Sequence, residues 1–195
     1  MLKGSTVRRP GLPVNPLFVD RWSPRAMNGK PVGERDLMVL LEAARWAPSS
    51  MNYQPWRALY ALRDTPSWPL YQELLIEGNR VWAQHAGALV LFISRTVFDA
   101  AGGPCVTHSF DTGAAWQSFA LQGFMSGLVV HGAQGFDYDK ARSVLKVPAE
   151  FAIEAMAIVG HPGDKSQLPE KYQQREQPND RRPLGESVRE GVFSF

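Results

Sequence analysis

Cysteine is almost missing. Cys105 stands alone among 195 residues, so no internal disulfide can form. That excludes a stapled secreted scaffold and makes a reducing cytoplasm the expected compartment. An excess of either charge is lacking as well: 21 Lys and Arg face 19 Asp and Glu, a formal +2. So even a balance argues against phosphate-backbone binding as the main business, and no nucleic-acid partner is expected. Long apolar runs are absent too. The longest, Ala86 to Ile93, falls well short of the ~20 residues a bilayer-spanning helix needs, and Met1-Leu2-Lys3-Gly4-Ser5 leads into Arg8-Arg9-Pro10 instead of a signal core. No membrane partner is expected.

Several chemical motifs are missing. No Gly-x-Gly-x-x-Gly follows a strand, no Gly-x-x-x-x-Gly-Lys-Ser/Thr phosphate loop exists, and no Gly-x-Ser-x-Gly elbow occurs. His85, His108, His131 and His161 have no second His or Cys at metal-ligand spacing, so no metal is expected. What the chain does have is a 44% apolar share, enough for one core, and an 11% aromatic share that can pack it or line a site for a flat ligand.

Residues 1–16 carry Pro10, Pro13 and Pro16 with Gly4 and Gly11, a composition that predicts an extended arm without chemistry of its own. Leu37, Leu40, Leu41 and Ala44 recur at helical spacing within 33–47, and Pro48 ends that amphipathic helix. Strands are predicted at 56–62, 88–94, 128–131 and 151–159, the second apolar on both faces and therefore interior. A long helix is predicted over 109–127, with Phe110, Ala114, Gln117, Leu121 and Phe124 returning to one side, and Asp137 is expected to cap a helix running to Leu145. Helices and strands intermingle in a layered α/β or α+β domain. Residues 166–187 are polar and broken by Pro169, Pro178 and Pro183, and an apolar end, Val188 to Phe195, follows. Composition allows two readings of this region: a frayed tail, or an arm that lays Val192-Phe193 beside the sheet of a second subunit.

Two stretches carry candidate chemistry. In Arg21-Trp22-Ser23-Pro24-Arg25, Pro24 favours an extended Ser23, so residues 21, 23 and 25 can share a side. Two guanidinium groups and a hydroxyl would then suit a phosphate monoester; the alternative is a helix-capping Ser23 between two solvated arginines. The second stretch, Ala47-Pro48-Ser49-Ser50-Met51-Asn52-Tyr53-Gln54-Pro55-Trp56, offers hydroxyl and amide groups on a loop fixed by proline at both ends.

Taken together, Arg21-x-Ser23-x-Arg25, Pro48-Ser49-Ser50-x-Asn52-x-Gln54-Pro55-Trp56, Asn79 with Trp82-Ala83, and Gly127-Leu128 resemble the FMN-dependent nitroreductase family over residues 17–195. The resemblance implies an α+β fold with a central, mainly antiparallel sheet flanked by helices. It also implies a single FMN-binding domain over 17–195, with 166–195 exchanged across a homodimer. Arg21, Trp22, Ser23 and Arg25 match the segment holding the FMN phosphate and the pyrimidine side of the ring. Pro48, Ser49, Ser50 and Asn52 match the loop reaching the flavin bound mainly by the other subunit. Asn79 matches an asparagine at the pyrimidine edge, and Gly132, Ala133, Gln134 and Gly135 fall where family backbone meets the flavin. Arg181 or Arg182 occupies the region of a late basic residue that grips the phosphate.

The implied activity is NAD(P)H-driven, ping-pong reduction of a small-molecule acceptor, nitroaromatic or quinone, with no catalytic side chain required because the flavin carries the redox step. Dehalogenation, heterocycle oxidation, flavin breakdown or flavin binding without turnover are the alternatives. The chain departs from the family pattern at Trp82, where well-studied members often place a basic residue, and at Pro24.

Overall fold

The computed structural model describes residues 2–99 and 102–195. These fall into two units, residues 23–176 and a terminal unit formed by residues 2–22 with 177–195.

The larger unit is organised around strand β2 (Ala88–Arg95), whose apolar run Ala88 to Ile93 is buried throughout. It contains α2 (Glu34–Arg45), β1 (Trp56–Leu62), α3 (Trp68–Gln72), α4 (Glu77–Ala83), β2 (Ala88–Arg95), α5 (His108–Met125), β3 (Val129–Ala133), α6 (Tyr138–Val144), β4 (Phe151–Gly160) and α7 (Glu170–Gln173). The four strands form one sheet in the order β1-β2-β4-β3, and each neighbouring pair runs antiparallel. The period-2 alternation of β2 divides the interior in two. Leu89 and Leu91 join Leu74, Trp82, Met156 and Ile158 on one face, while Val90 and Phe92 join Leu37, Leu40, Phe119 and Val130 on the other. The layered α+β architecture read from the sequence is the one found.

Helix α2 begins after Gly33 with Glu34 and Asp36 in its first turn and ends at Arg45, charges that complement the helix dipole at both ends. Helix α5 lies close to the sheet because Gly123 has no Cβ; an added carbon there would run into the Val130 side chain. Its end is a Schellman turn: Leu128 N–H donates to Gly123 O at 2.8 Å and Gly127 N–H to Phe124 O at 3.0 Å, with Gly127 at φ +74°.

The buried face of α5 is not the stripe of Phe110, Ala114, Gln117, Leu121 and Phe124. Asp111, Thr112, Ala115, Phe119, Ala120 and Gly123 point inward, while Gln117 and Phe110 are exposed, Phe110 by 81%. The helix carries apolar residues on two sides, and the side with smaller residues fits against the sheet.

In the terminal unit, α1 (Pro16–Asp20) is capped by Asn15, whose side chain accepts from Leu17 N–H at 2.9 Å. The arm is not free chain. Trp22 Nε1 donates to Leu2 O at 2.6 Å, Ser5 N–H to Asp20 Oδ1 at 3.3 Å, and Lys3 lies 3.6 Å from Asp20.

Candidate functional site

Residues 21–26 are irregular backbone with alternating burial: Arg21, Ser23 and Arg25 are partly exposed, while Trp22, Pro24 and Ala26 are buried. No helix begins at Pro24, so Ser23 is not a helix cap. The segment is anchored from three directions within the larger unit. His131 Nδ1 lies 2.9 Å from Pro24 O, and Glu176 Oε1 accepts the backbone N–H groups of Arg25 and Ala26 at 2.6 and 2.8 Å. The Arg25 guanidinium sits 6.0 Å from the Trp82 ring centre and 5.7 Å from that of Tyr172, a cation between two aromatic faces. Position 82 therefore lacks a cation of its own but has that of Arg25 beside it.

Asn79, on α4, and Gly135, after β3, are brought together. Asn79 Nδ2 donates to Gly135 O at 3.0 Å, and Ile76 N–H donates to the same carbonyl at 3.2 Å. Gly132 and Ala133 end β3, and Gln134 and Gly135 lead away from it. A Cβ on Gly132 would lie 2.7 Å from the Trp116 ring, so glycine is required for that close approach.

The loop from Pro48 to Pro55 holds Met51, Asn52 and Gln54 at φ 51°, 54° and 53°, a region that non-glycine residues enter at a cost of about 1 kcal/mol or more each. Local bonds hold this shape: Gln54 N–H donates to Ser49 Oγ at 3.0 Å and Asn52 N–H to Ser49 O at 3.0 Å. Buried Asp111 adds an anchor from α5, accepting Ser50 N–H at 3.2 Å and Thr107 Oγ1–H at 2.9 Å.

The terminal unit contains a basic set. Burial pushes the Arg21 pKa below the ordinary arginine value, and the nearby Arg8 and Arg181 cations push it further. Arg8 is lowered too, chiefly by burial and then by Arg181, with Asp180 opposing. Arg21 Nη1 donates to Trp22 O at 3.0 Å, and exposed Arg181 bonds Asn179 and Asp180. Arg182 is exposed.

Sequence reading missed Arg8, Asp111 and Glu176. Arg8-Arg9-Pro10 looks like any solvated doublet, and Glu176 lies in a polar stretch 151 residues after Arg25. Asp111 could have been noticed as a charge inside an otherwise nearly uncharged helix. Among the described residues no cluster of His, Cys, Asp and Glu could hold a metal ion, and no helix is long and apolar enough to cross a membrane.

A sheet of this order, with a strained Pro-Ser-Ser loop and a basic amino-terminal segment, defines a class that comparison with known proteins identifies. The model of the nitroreductase family matches residues 19–86. A solved oxidoreductase containing FMN is 45% identical, with 96% of each chain covered and a TM-score of 0.92. A Desulfovibrio desulfuricans protein, assigned as a nitroreductase and solved in complex with FMN, is 25% identical over 93% of this chain and all of its own, with a TM-score of 0.70. A Thermus thermophilus protein named NADH dehydrogenase is 27% identical, over 80% of this chain and 90% of its own. The chain belongs to the nitroreductase family.

Proposed function

We propose that this nitroreductase-family chain is an FMN-dependent oxidoreductase that takes a hydride from NADH or NADPH and, after the nicotinamide leaves, reduces a small acceptor such as a nitroaromatic or quinone. The observation that carries this reading is the 45% identity, along nearly the whole chain, to an oxidoreductase containing FMN. FMN supplies the two-electron redox chemistry when bound, and the polypeptide binds it and tunes its charge.

The donor chemistry fits that cofactor. A phosphate monoester asks for guanidinium donors, and Arg21 sits within the repulsive influence of the Arg8 and Arg181 cations. Between the two late arginines, the influence of Arg181 on both Arg8 and Arg21 favours Arg181 over Arg182. A pyrimidine edge that gains negative charge on reduction asks for a cation and amide donors nearby. Arg25 supplies the cation, while Ser23, Asn79 and the backbone of Gly132, Ala133, Gln134 and Gly135 supply neutral polar groups.

The working unit is a homodimer in which the Pro48, Ser49, Ser50 and Asn52 loop of one protomer reaches the flavin of the other. Supporting this, α2 exposes Met38 and Val39, Trp46 is exposed just past its end, and α5 exposes Phe110 and Met125. Residues 166–195 form the exchanged extension of the 17–195 domain, with Val192 and Phe193 exposed and available to the second subunit. The cytoplasm, with its reduced nicotinamides, is the compartment this chemistry suits.

The test is an anaerobic absorbance titration of the purified protein. Flavin colour that bleaches with NADH or NADPH and returns with a nitroaromatic or quinone supports the reading. A colourless chain that FMN cannot reconstitute rejects it.

A further inference from the structure

The arm that composition marks as inert makes the most demanding polar contacts in its unit. Arg8 is only 7% exposed, and its guanidinium reaches three backbone carbonyls on two distant stretches of the chain. Nε donates to Asn179 O at 2.8 Å, and Nη1 donates to Val19 O at 2.9 Å and to Arg21 O at 2.6 Å. These partners are neutral oxygens, so the positive charge of Arg8 is hydrogen-bonded without being cancelled. Asp180 acts against it electrostatically. The carbonyls belong to the segments that carry the other two cations, Arg21 itself and Asn179, two residues before Arg181.

The rest of the arm follows the same path. Leu2, Lys3 and Ser5 bond Trp22 and Asp20, and at Gly4 a side chain would collide with Val19 O. A segment held at so many points fixes the backbone from which Arg21 projects.

We propose that the amino-terminal arm is a working part of a phosphate-monoester site, with Arg8 as a positioning residue that staples the Arg21 segment to the Arg181 segment. This rests on the FMN reading above and deepens it. Arg8 does its work through backbone carbonyls: it sets the spacing of two guanidinium groups that would drift apart by mutual repulsion, and it adds a third positive charge behind them. An anion between them offsets the mutual repulsion of the guanidinium groups.

The test compares FMN with riboflavin, which share the ring and differ in the phosphate, using fluorescence titration of the full-length chain and of its R8A and R8K variants. In R8A, FMN affinity is expected to fall about ten- to a hundredfold, in proportion to two or three lost charge-assisted bonds, while riboflavin affinity stays the same. R8K keeps the charge, but its single nitrogen replaces two on three carbonyls, so it should fall between wild type and R8A. Equal FMN affinity in wild type and R8A overturns the proposal. Parallel loss of both flavins also overturns it, by making Arg8 a general fold determinant, and full rescue by R8K reduces its role to charge alone and overturns the staple. A wild-type chain that binds neither flavin rejects the FMN reading itself, whereas tight FMN binding by wild type and R8A alike rejects only the role of the arm.

Discussion

Glu176 clamps Arg25: one carboxylate oxygen accepts the Arg25 N–H at 2.6 Å and the next residue's N–H at 2.8 Å, and the other lies 4.0 Å from the Arg25 guanidinium. The side chain of Glu176 is 4% exposed, so its charge is poorly screened by water. Glu176 thus shapes the backbone and partly neutralises the cation set between Trp82 and Tyr172. The two roles separate by substitution. E176Q keeps an acceptor for both N–H groups and removes the charge, so it should fold normally; with Arg25 at the pyrimidine edge, as the proposed function has it, the substitution should also raise the flavin midpoint potential, because an uncompensated cation there favours the more negative, reduced state. E176A strands two buried donors and should cost about 2 to 4 kcal/mol in urea unfolding. A potential unchanged in E176Q would show that this carboxylate does not act on the flavin.

Tyr71 gives a pH signature. Burial in the core pushes its pKa up to about 12, from the 10 of an exposed phenol. Between those values the unfolded chain loses this proton first, so the folded state binds more protons and stability falls as pH rises. The contribution is fully present below pH ~10 and lost toward pH ~12, about 2 to 3 kcal/mol in all. Y71F should flatten the decline in unfolding free energy over that window. An identical decline in Y71F and wild type would assign it to other groups.

The strands and the main helices were legible because their signals are local. Leu89 to Ile93 is apolar on both faces and became the central strand, and α2 follows its Leu37, Leu40, Ala44 stripe. The buried face of α5 is harder to read, because its larger apolar residues recur on one side while the sheet takes the side where Ala115, Ala120 and Gly123 allow close approach. Candidate-site residues in compact motifs, such as Pro48 to Asn52, could be picked out from sequence. Their supports could not. Arg8 works through carbonyls at positions 19, 21 and 179, and Glu176 through the N–H groups of 25 and 26, pairings that leave no pattern in the sequence.

Asp111 links the Pro48 to Pro55 loop to α5 through the Ser50 N–H and the Thr107 hydroxyl. Three non-glycine residues in that loop sit at positive φ, so the loop depends on such anchors to hold its shape. D111A should lower stability by about 1 to 3 kcal/mol and speed proteolysis within residues 49–54 of the folded protein. Limited proteolysis with mass spectrometry locates the cut. Cleavage that stays as slow as in wild type would mean that the Ser49 bonds alone hold the loop.

Gly135 offers the narrowest test of the Asn79 pairing. A Cβ there would stand 2.5 Å from Asn79 Nδ2 and 2.8 Å from Ile76 Cδ1. The amide end of Asn79 can swing away, but doing so gives up its 3.0 Å bond to the carbonyl of Gly135 itself. G135A should therefore cost about 1 to 3 kcal/mol of stability from overpacking and the lost bond. N79A removes the obstructing amide, so in the double variant N79A/G135A the second change should cost less than it does alone. That coupling, measured as a double-mutant cycle in urea, should reach about 0.5 to 1.5 kcal/mol in the favourable direction. Strict additivity would place the strain at Ile76 instead. If the pair faces the flavin, as the FMN reading requires, G135A should also weaken FMN retention by more than its stability loss explains, a comparison made by titrating FMN at a temperature where both proteins remain folded.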